Sequence, residues 1–241
     1  MAAPGRLEGR VIVVTGASRG LGAAVAEACA ERGAKLVLVA RTRGALEEVD
    51  DAVRRHGGEA TLVTADVTRG ELLDTLGRAL FERFGRVDGL VGAAAELGPI
   101  TPASHLEPEV LERLMAVNVL ANHRLIRSLD PLLRLAPAAR AVFVTDGGAG
   151  PGLAYWGGYA ASKAALEALV LAYAAELRLT NVCVNLLDPG PMATRLRKDG
   201  YPGERPGAVR SPAGAAAAVV ELLLPGCMRR GELVRLGQSL S

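Results

Sequence analysis

Val11-Ile-Val-Val-Thr-Gly-Ala-Ser-Arg-Gly-Leu-Gly22 runs from a block of β-branched residues into a turn with glycines at 16, 20 and 22. Residues 23–32 follow with helical composition and stop at Gly33, so the stretch predicts strand, glycine turn and helix. The alternation continues along the chain. Strands are expected at 35–40, 60–64, 89–92, 141–145, 182–187 and 232–236, and helices at 43–56, 71–84, 108–117, 121–135, 158–179 and 212–224. Strands that read as unbroken apolar runs, separated by helices, predict an α/β fold: a doubly wound parallel sheet with helices on both faces. No linker interrupts residues 1–241, so a single domain is expected. The one long irregular stretch, 189–211, is rich in Pro, Gly and Arg and reads as a mobile lid, because loops of that length in compact domains are commonly functional.

Half of the 241 residues are hydrophobic and only 3% are aromatic, which predicts a core of Ala, Val and Leu. Net charge is +2, and the arginines are scattered among acids with no basic run. A small molecule is therefore the expected partner, rather than nucleic acid or a membrane surface. Cys29, Cys183 and Cys227 are too few and too far apart for a disulfide framework or a zinc site, and His56, His105 and His123 lack ligand spacing. The N-terminal apolar run is too short for a signal peptide, and no stretch approaches the roughly 18 apolar residues of a membrane span. A cytoplasmic protein without a metal is expected.

Gly16, Gly20 and Gly22 stand where missing side chains let the backbone turn tightly and approach a pyrophosphate at a helix N-terminus. Their spacing differs from the common G-x-G-x-x-G. Arg41 follows the second strand, where an NAD-binding unit usually places an acid for the ribose hydroxyls, and Arg19 lies in the turn itself. Two guanidiniums suit a 2′-phosphate, so NADP(H) is expected in preference to NAD(H).

In Tyr155-Trp-Gly-Gly-Tyr-Ala-Ala-Ser-Lys163, helical spacing puts Tyr159 and Lys163 on one face. A cation beside the phenol favours its ionised form and brings its proton into play. Lys35, Lys163 and Lys198 are the only lysines in the chain, which adds weight to one at this position. Tyr155 and Trp156 either line a substrate pocket or pack the lid. The Ala-rich residues 160–177 allow close approach of a second subunit, or serve simply as strong helix formers.

Together these residues resemble the classical short-chain dehydrogenase/reductase family. The resemblance spans almost the whole chain through five motifs in order: the Thr15 to Gly22 turn, Asp66 after the third strand, Asn118 in Met115-Ala-Val-Asn-Val119, Tyr159-Ala-Ala-Ser-Lys163, and Pro189-Gly190 followed by Thr194. It implies a single Rossmann-like domain, hydride transfer with a nicotinamide cofactor between a carbonyl and an alcohol, and a homodimer or homotetramer. By the same resemblance Gly16, Ser18, Arg19, Gly20, Leu21, Gly22, Arg41, Pro189 and Gly190 belong to the cofactor site. Asp66 and Val67 would contact the adenine, Lys163 the nicotinamide ribose, and Thr194 the carboxamide. Asn118 would hold a proton-relay water, with Tyr159 as general acid/base.

Two positions depart from the family pattern. The Ser usually found thirteen residues before the Tyr is here Asp146. An ionised carboxylate only accepts hydrogen bonds, and its charge opposes a phenolate or a developing alkoxide. Either burial keeps Asp146 protonated as a donor, or Lys163 pairs with it and holds it ionised. Thr145 should face away, because strand side chains alternate, and Gly147 and Gly148 carry no side chain. The family's Asn-Asn-Ala-Gly appears as Gly92-Ala-Ala-Ala95, leaving only backbone to brace the crevice, and Glu96 turns either to the cofactor or to solvent. Three functions follow: an NADP(H)-dependent carbonyl/alcohol oxidoreductase, a cofactor-binding protein with little or no catalysis, or a related reaction such as enoyl reduction.

Overall fold

The structure is a computed structural model that describes residues 7–147, 152–205 and 207–237. Gly148, named above, lies outside these residues. Seven strands form one sheet: β1 (Val11–Thr15), β2 (Lys35–Ala40), β3 (Glu59–Thr64), β4 (Gly89–Gly92), β5 (Ala139–Val144), β6 (Val182–Asp188) and β7 (Leu233–Arg235). Their order is β3-β2-β1-β4-β5-β6-β7, and every pairing is parallel. The helices are α1 (Gly20–Ala30), α2 (Arg43–Arg55), α3 (Gly70–Phe84), α4 (Pro108–Met115), α5 (Ala121–Leu135), α6 (Gly157–Glu176), α7 (Arg195–Gly200) and α8 (Pro212–Leu223). This is the Rossmann-like α/β arrangement that the alternation predicts.

Successive residues of β1 serve opposite cores, which is why the strand is apolar without interruption. Val11 and Val13 pack with Leu76 of α3, Leu129 of α5 and Val170 of α6. Ile12 and Val14 pack with Val25 of α1, Leu46 of α2 and Val219 of α8. Full burial of a side chain of this size stabilises the fold by about 1.5–3 kcal/mol, so helices on both faces are required by the composition of the strand. The chain winds outward from β1 through β2 to β3, then returns to place β4 on the other side of β1. That reversal opens a crevice at the carboxyl ends of β1 and β4.

Two elements differ from the sequence reading. Residues 116–120 form a π turn that joins α4 to α5 without a break, where two separate helices are expected. No Gly or Pro lies there to end the helix, and the widened turn buries Asn118 completely. Within 189–211, expected to be irregular, α7 forms and Met192 bridges Arg210. Its charged sequence has no apolar period; the Thr194 hydroxyl starts the helix by accepting from the Arg197 N–H at 3.2 Å.

Candidate active site

Backbone lies against backbone where the glycine turn meets the loop after β4. A Cβ on Gly16, whose φ is 65°, would come within 2.8 Å of the Ala94 backbone, and one on Gly22 within 2.3 Å of the Gly16 carbonyl oxygen. Thr15 ties the two loops together. Its buried hydroxyl donates to the Val91 carbonyl at 3.3 Å and accepts from the N–H groups of Ala93 at 3.2 Å and Ala94 at 3.4 Å. Sequence reasoning treated Thr15 only as the start of the turn; a strand-terminal hydroxyl next to the glycines was the available signal.

One cavity of about 610 Å³ fills the crevice. It is lined by every cofactor residue named from the sequence, namely Gly16, Ser18, Arg19, Gly20, Leu21, Gly22, Arg41, Asp66, Val67, Lys163, Pro189, Gly190 and Thr194, together with Tyr159 and Asp146. The N-cap residue of α1, Arg19, makes no side-chain capping bond, so the N–H groups of the first turn remain available to an anion. Asp66 accepts from the Thr68 N–H at 2.9 Å and its hydroxyl at 2.7 Å. Burial pushes the Asp66 carboxyl up, but these two bonds and the charges of Arg113 and Arg41 outweigh it and hold the group below its ordinary value. A phosphate-bearing dinucleotide fits this set: open N–H groups in the turn, Arg19 and Arg41 beside them, and a carboxylate held ionised beyond.

At the other end, Tyr159, Lys163 and Asp146 meet. The Tyr159 hydroxyl donates to Asp146 Oδ2 at 3.3 Å, and Lys163 Nζ donates to the Val144 carbonyl at 3.0 Å while lying 5.6 Å from the phenol ring centroid. Burial raises the Tyr159 pKa well above its ordinary value, and Asp146 and Asp188 push it the same way, so the phenol keeps its proton. Burial also depresses Lys163 to about 8, against the charges of Asp146 and Glu167, which raise it. Thr145 turns from this group as expected: its hydroxyl donates to Glu167 Oε1 at 2.6 Å. Asp188, which sequence reasoning missed, accepts from the Gly190 N–H at 3.0 Å and packs where a side chain on Gly147 would stand.

Asn118 alone among the catalytic and cofactor residues named from the sequence does not line the cavity. Its Oδ1 accepts from the Glu96 N–H at 2.9 Å, and its Nδ2 donates to the Glu96 carbonyl at 2.9 Å and to Ser162 Oγ at 2.8 Å. The side chain is thus committed to holding the 93–96 loop against α6. Its backbone carbonyl accepts from Asn122 Nδ2 at 2.9 Å. Glu96 lines the cavity, is partly exposed, and pairs there with Arg113 at 3.1 Å.

Trp156 packs inward and Tyr155 does not. Leu97, Trp156 and Tyr159 form an apolar wall extended by Leu196 and Tyr201, with the Trp156 ring 6.1 Å from Tyr159 and 5.3 Å from Tyr201. A Cβ on Gly200 would come within 2.8 Å of Trp156, so α7 rests directly on the indole. Trp156 thus both lines the cavity and packs against α7. Tyr155 is 58% exposed. All three cysteines are free. Among the described residues no helix is long and apolar enough to cross a membrane, and no cluster of potential metal ligands occurs.

A switch-point crevice with an open glycine turn at one end and a buried Tyr–Lys pair at the other defines a dinucleotide-dependent oxidoreductase of the α/β class. The sequence profile of the short chain dehydrogenase family matches residues 10–204, and this chain belongs to that family. It is 32% identical to the oxidoreductase YciK of Escherichia coli over 210 residues, covering 86% of this chain and 83% of that one. Among solved structures, a short chain dehydrogenase from Salmonella enterica serovar Typhi superposes with a TM-score of 0.92 at 29% identity, covering 98% of each chain. A short chain dehydrogenase structure from Shigella flexneri, in complex with NADP, gives 0.91 at 30% identity, covering 97% of this chain and 99% of that one.

Proposed function

We propose that this protein is an NADP(H)-dependent oxidoreductase that interconverts a carbonyl and an alcohol on a small apolar molecule. The observation that carries this reading is the Tyr159–Lys163 pair in one cavity with an uncapped helix N-terminus. Preference for the phosphorylated cofactor rests on Arg19 and Arg41 at the far end, with no acid at the close of β2, and on the Shigella flexneri relative that binds NADP.

The nicotinamide, when bound, supplies or accepts the hydride. Lys163, anchored on Val144, keeps further N–H donors for the ribose hydroxyls and places positive charge beside the phenol. Tyr159, protonated at neutral pH, hands its proton to the substrate oxygen as negative charge develops there. Asp146, when protonated, is a second donor to that oxygen in place of the family's Ser. Asn118 holds the 93–96 loop in register with α6, and a relay water would use the second lone pair of its carbonyl. Residues 189–211 act as the lid of this single domain, since α7 supplies Leu196 and Tyr201 to the substrate wall. The free cysteines suit the cytoplasm, and the exposed Leu120 and Leu171 suit assembly as a homodimer or homotetramer.

A cofactor-binding protein without turnover is the second reading, favoured by the Tyr159 hydroxyl being engaged by an acceptor. NADPH titration followed by a carbonyl panel separates the two. Turnover by the wild type that Tyr159→Phe abolishes is the expected result; tight NADPH binding with activity only in Asp146→Ser would favour the second. Arg41→Asp should weaken NADPH binding about tenfold while leaving NADH little changed, the worth of one charge-assisted hydrogen bond.

A further inference from the structure

The end of β5 and one face of α6 are fastened to each other at two points. The Val144 carbonyl accepts from Lys163 Nζ at 3.0 Å, and the hydroxyl of the next residue, Thr145, donates to Glu167 Oε1 at 2.6 Å. Lys163 and Glu167 stand four residues apart in α6, so both reach the strand end from the same face of the helix. Thr145 is 1% exposed and Glu167 partly buried. A hydroxyl that donates to a carboxylate at so short a distance makes a charge-assisted bond, and it fixes the direction in which the carboxylate points.

Two carboxylates thus act on the Lys163 ammonium, and they do so from different places. Asp146 lines the cavity, where cofactor and substrate would lie against it, whereas Glu167 is not among the lining residues. Of the other charges at this end of the sheet, Asp188 acts on Tyr159, and Asp188 and Arg235 both lie against Gly147.

Resting on the oxidoreductase reading above, we infer that Glu167, held inward by Thr145, is a positioning residue: a fixed counter-charge behind Lys163 that keeps the ammonium charged beside Tyr159 whatever fills the cavity. The need for it follows from the burial of the lysine. Removal from water disfavours an ammonium, and Lys163, at 4% exposed, loses further hydration when a bound cofactor displaces water from the cavity. Asp146 lines the space that fills, so its charge is open to the same change. When Asp146 carries a proton, as a donor to the substrate oxygen must, Glu167 is the one of the two that still opposes the loss.

The charge matters to the chemistry through Tyr159. An ammonium stabilises the phenolate that remains when Tyr159 has given up its proton, and a neutral amine does not. Burial sets Lys163 at about 8, with Asp146 and Glu167 raising it. Roughly nine in ten of these groups are then charged at neutral pH, and one pKa unit lower only about half would be.

Lys35, Lys163 and Lys198 are the only lysines, so full-length protein carrying carbon-13 at lysine Cε gives three NMR signals, and Lys163→Met identifies the one from the site. Lys35 and Lys198 are exposed and serve as internal references. In a pH titration the Lys163 signal should move near pH 8 in the wild type. In Glu167→Gln, which keeps an acceptor for Thr145 and removes the charge, it should move about half a unit lower or more, with both references unchanged. Thr145→Val, which frees the carboxylate and keeps a β-branched side chain in the strand, should lower it in the same direction, and Thr145→Ser should restore it. The signal is read from folded protein, so a loss of stability does not imitate the effect, and Thr145→Val serves if Glu167→Gln does not fold. A smaller fall or a rise in Glu167→Gln, or a Thr145→Val protein that titrates as the wild type does, overturns the inference and spares the oxidoreductase reading. Absence of NADPH binding, or of turnover across the carbonyl panel, sinks that reading and with it the role of Glu167 in the reaction, even where the titration shifts.

Discussion

Lys163 is held in the fold at a cost. The residue is 4% exposed, and burial moves its pKa from the ordinary 10.5 to about 8, with Asp146 and Glu167 opposing the shift. The unfolded chain therefore binds more protons at this site than the folded one between about pH 8 and 10.5. Stability contributed by the group consequently rises with pH through that window, and the penalty is fully present below it. Comparing wild type with Lys163→Met by urea unfolding cancels the other titrating groups. Relative to the variant, the wild type should gain about 2 kcal/mol between pH 7.5 and 9.5. A difference that stays flat with pH would mean that the ammonium is better solvated than its surroundings indicate. Tyr159 belongs to the same account: it retains its proton where Lys163 begins to lose one, so the pair favours proton donation over abstraction near neutrality. None of this was visible in Tyr159-Ala-Ala-Ser-Lys163, which specifies a shared helix face and leaves the burial of that face open.

At the scale of elements, the π turn at 116–120 connects the α4–α5 helix to the crevice through Asn118. One amide satisfies the Glu96 N–H, the Glu96 carbonyl and Ser162 at once, and its own carbonyl receives Asn122. Asn118→Ala strands several of these groups, and each unmade buried hydrogen bond costs about 1–3 kcal/mol. A loss of about 3 kcal/mol in urea unfolding is expected, together with a raised KM as the 93–96 loop loosens. A loss below ~0.5 kcal/mol would show that water replaces the amide. Sequence pattern left Asn118 in the gap between two expected helices, and the family resemblance put it beside the active site. It did not foresee the π turn, because nothing in the Ala-Val-Asn-Val-Leu segment marks a wider turn locally, while the contacts that Asn118 makes there reach Glu96 and Ser162 elsewhere in the chain. Helix α7 was missed for a related reason: its support is a Thr194 cap and an indole from elsewhere in the chain.

Across the whole molecule, the two ends of the sheet do different work. At the amino ends of the strands, Asp88 accepts from the Val11 N–H at 3.0 Å and from Arg86 at 3.0 Å, while buried Arg10 reaches the Asp88 and Ala138 carbonyls. Removing one partner from a buried pair leaves the other charge uncompensated. Asp88→Ala should therefore lower stability by about 3 kcal/mol, yet below its lowered Tm the folded fraction should bind NADPH as the wild type does. A weakened cofactor affinity in the folded variant would refute this division between a structural and a functional end. The sequence by itself determined the α/β class, the parallel sheet and the glycine turn, because apolar period and missing side chains are properties of short segments, and the family resemblance added most of the residues named for the site. Only the tertiary structure decided that Tyr159 donates to Asp146, that Thr145 is taken by Glu167, that Glu96 pairs with Arg113 and that Trp156 carries α7. Each of those depends on distances and burial among residues far apart in the chain. Such separations fix pKa values and hydrogen-bond direction, and no local pattern encodes them.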